Sequence, residues 1–123
     1  MENKCVEIFE QETSKIKELS EKLFLSQDII IRVALSLYLK KNTTIKTTEK
    51  IQKVSLEIQR ESIEGPYSEL IKALMISKIE EVNNENYQEM FCYVVNCSIN
   101  NLHSEFLEAG NLDRFYTALL EEM

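Results

Sequence analysis

A chain of 123 residues with a formal net charge of -7 and a pI of about 4.8 has the size of one domain, and its overall acidity argues against bulk affinity for nucleic acid. No apolar run approaches the roughly 18 residues that a bilayer span needs. The opening MENKCVEIFEQE is too acidic to read as a signal peptide, so the expectation is a cytoplasmic protein without a membrane segment.

KCVEIFEQ alternates apolar and polar positions, which puts Val6 and Ile8 on one side of a short strand. In TSKIKELSEKLF, Ile16, Leu19, Leu23 and Phe24 recur at helical spacing, and Thr13 or Ser14 can cap that helix because a hydroxyl oxygen accepts from free first-turn amides. Leu25 and its neighbours form a tight turn. Ser26 is the next cap, with Asp28 in the first turn, where negative charge suits the helix dipole.

The second helix lies in LSQDIIIRVALSLYLKK, which is apolar on nearly every side. Ile29, Ile30, Val33, Ala34, Leu37 and Tyr38 can face one core layer, leaving Ile31, Leu35 and Leu39 on the other side in need of cover. A second chain is the simplest cover, and these three residues are then the oligomer interface. A strand, a short helix, a tight turn and a longer apolar helix is the layout of the ribbon-helix-helix class, in which two chains interlock through their second helices.

Charge changes sharply after that helix. Residues 1–39 carry -2, residues 40–53 carry +4, and residues 54–123 carry -9. KKNTTIKTTEKIQK is therefore a basic island in an acidic chain, readable either as a solvated connector or as a nucleic-acid contact. Any DNA contact would be to backbone or shape, through Lys40, Lys41, Lys46, Lys50 and Lys53, with the hydroxyls of Thr43, Thr44, Thr47 and Thr48 as added donors. The strand face opposite Val6 and Ile8 is unsuited to reading bases. Cys5 and Phe9 offer no useful donors there, and Glu7 repels phosphates.

Val54, Leu56 and Ile58 alternate as a strand does, although Ile51, Val54 and Ile58 also fit a helix; the extended reading is preferred. Gly65 and Pro66 break the chain. From Tyr67 to about Val82, Leu70, Ile71, Leu74, Met75 and Ile79 predict a helix. NNEN marks a loop, NYQEMFCYVVNCSINNLHSEFLEAG a long buried helix ending near Gly110, and NLDRFYTALLEEM a short closing helix. The expected fold is mostly α, with a ribbon-helix-helix-like N-terminal core followed by a C-terminal helical part. It is read as a single domain over 1–123: a strand-helix-helix core to 41, a basic connector and extended segment over 42–66, and helices over 67–123.

Chemistry-bearing motifs are sparse. Cys5, Cys92 and Cys97 form no CxxC pair and read as small buried hydrophobes. On one regular helix Cys97 and the single histidine, His103, stand about 600° apart, on different faces, which argues against a Cys/His dyad. Without metal-ligand spacing, a Gly-rich phosphate loop or a nucleophile motif, no catalytic residue, metal or cofactor is expected. Arg60 with Glu57 reads as a structural ion pair.

LFLSQDIIIRVALSLYLKK followed by EIQRESIEGPYSELIKAL resembles the small DndE-type subunit of bacterial DNA sulfur modification (phosphorothioation) systems, a family with a ribbon-helix-helix-like core. The resemblance spans roughly residues 13–75. The ordered string Glu57, Ile58, Arg60, Ser62, Ile63 and Gly65 is similar to the family's Glu-aromatic-x-Arg-x-Thr-Leu-x-Gly stretch. The family's His, Arg and Gly cluster in the penultimate helix matches best at Cys97, Asn100 and Asn101, where this chain departs from it.

The resemblance implies a non-enzymatic, DNA-binding accessory subunit of a bacterial modification or defence system. To the partners read from the residues themselves, the DNA backbone for the lysine island and further copies of the chain for the second helix, it adds two other subunits. Those two are a sulfurtransferase-like subunit related to ATP-pyrophosphatase and sulfate-reductase enzymes, and an ATPase, for which the acidic residues 54–123 are a docking surface. The alternative is a protein-interaction adaptor or ribbon-helix-helix antitoxin-like protein that does not bind DNA by itself.

Overall fold

Alternation at the N-terminus forms the expected strand. In the computed structural model, which describes residues 5–41 and 54–122, β1 (Cys5–Phe9) buries Val6 and Ile8 and leaves Cys5, Glu7 and Phe9 half-buried on its other face. Its partner is β2 (Val54–Gln59) of the same chain, antiparallel, with Val6 opposite Ile58 and Ile8 opposite Leu56. The extended reading of residues 54–58 is thus the one the chain adopts.

α1 (Glu10–Leu23) starts earlier than the capping argument suggests. Thr13 and Ser14 lie inside it, and the Thr13 hydroxyl donates back to the Phe9 carbonyl at 2.9 Å. The first turn draws instead on Glu10 and Glu12, whose charge suits the helix N-terminus. Phe24 ends the helix in the left-handed region at φ 58°. Ser26 caps α2 (Gln27–Lys41) as expected: its hydroxyl oxygen accepts the Ile29 amide at 3.4 Å and its carbonyl the Ile30 amide at 3.1 Å.

Most of the apolar surface of α2 is met within the chain, by two core clusters on either side of it, although Ile29, expected to face the core, is 41% exposed. Ile31, Leu35 and Leu39 are 0%, 2% and 6% exposed, and pack with the buried faces of the sheet, α4 (Ser68–Lys78) and α5 (Tyr87–Ala109). The expectation that a second chain covers these three residues is therefore corrected, because α5 (Tyr87–Ala109), far away in sequence, supplies the missing surface. On the other side Ile30 and Ala34 join Leu19, Leu23, Leu102 and Phe115. α2 thus lies between the two clusters.

After β2 the chain makes a short helix, α3 (Arg60–Glu64), which periodicity did not reveal, then one 3-10 turn over Gly65–Tyr67. α4 (Ser68–Lys78) stops short of Val82 because Ile79 turns to an extended conformation, its amide still bonded to the Met75 carbonyl at 2.9 Å. Ile79 and Val82 stay buried, so the apolar repeat outlasts the helix. Asn83 and Asn86 close the following loop through side-chain bonds to its own amides. α6 (Leu112–Glu122) then packs Phe115 edge-on to Phe106 of α5, with centroids 5.3 Å apart.

Candidate nucleic-acid interface and family-motif site

Of the five lysines expected to touch DNA, Lys40 is exposed on the last turn of α2 and Lys41 is that helix's final residue. Lys46, Lys50 and Lys53, with Thr43, Thr44, Thr47 and Thr48, lie outside the described residues. Around Lys40 the fold assembles more than the sequence suggested. A groove of about 180 Å³ between α2 and α4 has a floor of Leu35, Leu39, Ile71 and Leu74, and its charged lining residues, Arg32, Lys40 and Lys78, are all cationic. Arg32, Ser36 and Lys40 follow one another at four-residue spacing, a signal available from sequence. Lys78 joins them only through packing.

Arg32 also organises the motif that carried the family resemblance. Its Nε donates to the Ile63 carbonyl at 2.9 Å and its Nη2 to the Ser62 carbonyl at 3.0 Å, fastening α3 to α2. Gly65 follows at φ +57°, where a side chain is strained, and an added Cβ would stand 3.4 Å from Arg32 Nη2. Ser62 and Gly65 thus act through backbone. Arg60 pairs with Glu64 at 2.7 Å rather than with Glu57, a correction that follows from the α3 turn placing positions 60 and 64 on one face. Glu57 is exposed and stands opposite Glu7 in the ribbon, so that face is acidic.

Glu64 is buried, and burial raises its carboxyl above the ordinary range against the opposing pull of Arg60. Tyr87 donates its hydroxyl to Glu64 at 3.5 Å, and burial followed by the Glu64 charge pushes that phenol up as well. Arg60 and Lys72 approach the Tyr87 ring at 5.9 and 5.3 Å. The adjoining cleft of about 310 Å³ mixes these cations with Glu64, Glu69 and Glu85, so no single charge sign dominates it.

On α5, Asn100 donates to Glu12 Oε1 at 3.0 Å and accepts from Lys15 Nζ at 2.5 Å, while Asn101 is exposed and Cys97 half-buried. One residue that sequence reasoning passed over has the larger structural role. Asn96 accepts the Phe9 amide at 3.0 Å and donates to the carbonyls of Glu7 and Cys92 at 2.9 and 2.7 Å, joining β1 to α5. The cysteines are half-buried rather than fully buried, and burial raises the Cys92 thiol. His103 pairs with Glu18 of α1, away from Cys97. Among the described residues no three His, Cys, Asp or Glu side chains are grouped to hold a metal.

The fold and site define a small, mostly α protein with a strand-helix-helix start, an internally closed ribbon and a cationic groove. The chain belongs to the DndE family: DNA sulphur modification protein DndE matches residues 6–109, from β1 through the end of α5, and ties the chain to DNA sulfur modification. α6 lies beyond the matched region. No curated relative matches the sequence. Among the described residues, no helix is long and apolar enough to cross a membrane.

Proposed function

We propose that the chain is a DNA-binding accessory subunit of a phosphorothioate modification system, holding duplex DNA by its phosphate backbone without reading bases. Family membership carries this reading. It is supported by the cationic lining at the end of α2, next to the lysine-rich residues 42–53. Lys40, Lys41, Lys46, Lys50 and Lys53 supply the contacts. At physiological salt the screening length is about 8 Å, so carboxylates on a distant face weaken such a patch less than the net charge of -7 suggests.

In this reading the chain works in the cytoplasm as one domain, has no catalytic role or cofactor of its own, and docks sulfurtransferase-like and ATPase subunits on its acidic C-terminal half. Self-association uses a surface other than Ile31, Leu35 and Leu39. The test is an electrophoretic shift assay at about 50 mM salt, the regime in which phosphate contacts are strongest. Exchanging Lys40, Lys41 and Lys46 for Glu should weaken binding to all duplex sequences alike and reduce the salt slope by roughly 0.9 for each phosphate that is no longer neutralised. Wild-type protein that binds no duplex there would favour the protein-adaptor role instead.

A further inference from the structure

We infer that the cleft lined by α3, α4, the 83–86 loop and the start of α5 binds a small zwitterion of the α-amino-acid class. Its volume of about 310 Å³ stands at the low end of the roughly 300–1,000 Å³ typical of ligand clefts, which limits the occupant to a small molecule. Three of its groups are already engaged with one another. Arg60 holds Glu64 at 2.7 Å, and Tyr87 donates its hydroxyl to the same carboxyl group at 3.5 Å. Glu64 and Tyr87 are buried, so this set is a closed polar floor.

Other groups in the cleft are not engaged. Gln88 Nε2 is buried and meets no acceptor among the described residues, a condition that native proteins rarely leave without a purpose. Lys72 stands 5.3 Å from the centre of the Tyr87 ring, yet it pairs with no carboxylate among the described residues, although Glu69 and Glu85 line the same cleft. A simple anion would meet the glutamates there and a simple cation would meet Arg60 and Lys72. A ligand that carries both signs answers both sets: its carboxylate accepts from Lys72 and Gln88 Nε2, and its ammonium donates to Glu69 or Glu85. No side chain caps α5, whose first turn holds Tyr87 and Gln88, so the positive end of that helix favours the carboxylate as well.

This site uses none of the lysines proposed to hold DNA, and it stands whether or not that contact exists. Isothermal titration calorimetry of the full chain with the common free α-amino acids at millimolar concentration should give saturable binding for at least one of them. The N-acetylated and the C-amidated form of that amino acid each lack one charge, and wild-type protein should bind each more weakly by about tenfold or more. Lys72→Met and Gln88→Leu, with unchanged far-UV circular dichroism, should weaken binding of the free amino acid to a similar degree. The inference is overturned by the absence of saturable heat with every amino acid, or by inorganic phosphate or sulfate binding in their place. Equal affinity for the free and the blocked ligands, or indifference to both substitutions, would overturn it too.

Discussion

Asn96 has an outsized role for a single side chain, because the amide it satisfies ends β1 and the carbonyls it serves belong to both β1 and α5. Removing one partner of a buried hydrogen bond leaves the other desolvated, at about 1–3 kcal/mol per orphaned group. Asn96→Ala should therefore lower the urea-unfolding free energy by about 2–4 kcal/mol, and a loss below about 1 kcal/mol would show that water replaces these bonds. Tyr38 makes a second residue-level prediction. Burial raises its phenol from 10.0 to about 12, with the nearby Cys97 and Glu81 adding to the effect. Above pH 10.0 the unfolded chain gives up this proton while the folded chain keeps it, so stability falls as pH rises from 10.0 to about 12. Urea midpoints measured across that window should decline more steeply for wild type than for Tyr38→Phe. Tyr87, raised in the same direction, keeps part of the slope in the variant.

At the scale of elements, α2 decides how the protein responds to mutation. Its Ile31, Leu35 and Leu39 row is core rather than interface, so damage there should unfold the chain instead of dissociating it. Leu35→Ala should cost about 2–5 kcal/mol through reduced transfer energy and a cavity. Ile31→Glu should eliminate the cooperative thermal transition, since it would desolvate a charge among buried apolar side chains. A folded, monomeric Ile31→Glu protein would return these residues to a subunit interface. The ribbon illustrates a related point. Period-two alternation predicts that β1 and β2 are strands, but their antiparallel register brings Glu7 opposite Glu57, a like-charge pair that neither strand reveals alone.

For the whole molecule, α6 closes the second cluster although it lies outside the family match. Phe115 is fully buried there against Phe106, so Phe115→Ala should cost about 3–5 kcal/mol in urea unfolding. A cost under about 1 kcal/mol would mean that the cluster closes without α6, since full burial of such a ring is ordinarily worth more. The same scale governs the electrostatics. A chain of net charge -7 keeps a local cationic groove because α2 and α4 bring Arg32, Lys40 and Lys78 together while the ribbon face carries Glu7 and Glu57.

Sequence by itself determined the mostly α class, the strand at Val6 and Ile8, the Ser26 cap, the long helix ending before Gly110 and the family, because alternation, helical spacing, capping groups and motif order are local properties of a chain. Packing alone decided the rest. A helix apolar on two sides demands two covers without naming them, and only the fold shows that α5 rather than another copy covers Ile31, Leu35 and Leu39. Local pairing likewise suggested Glu57 for Arg60, until the α3 turn brought Glu64 within 2.7 Å. Lys78 entered the groove beside Lys40 for the same reason: residues distant in sequence become neighbours only when their helices pack.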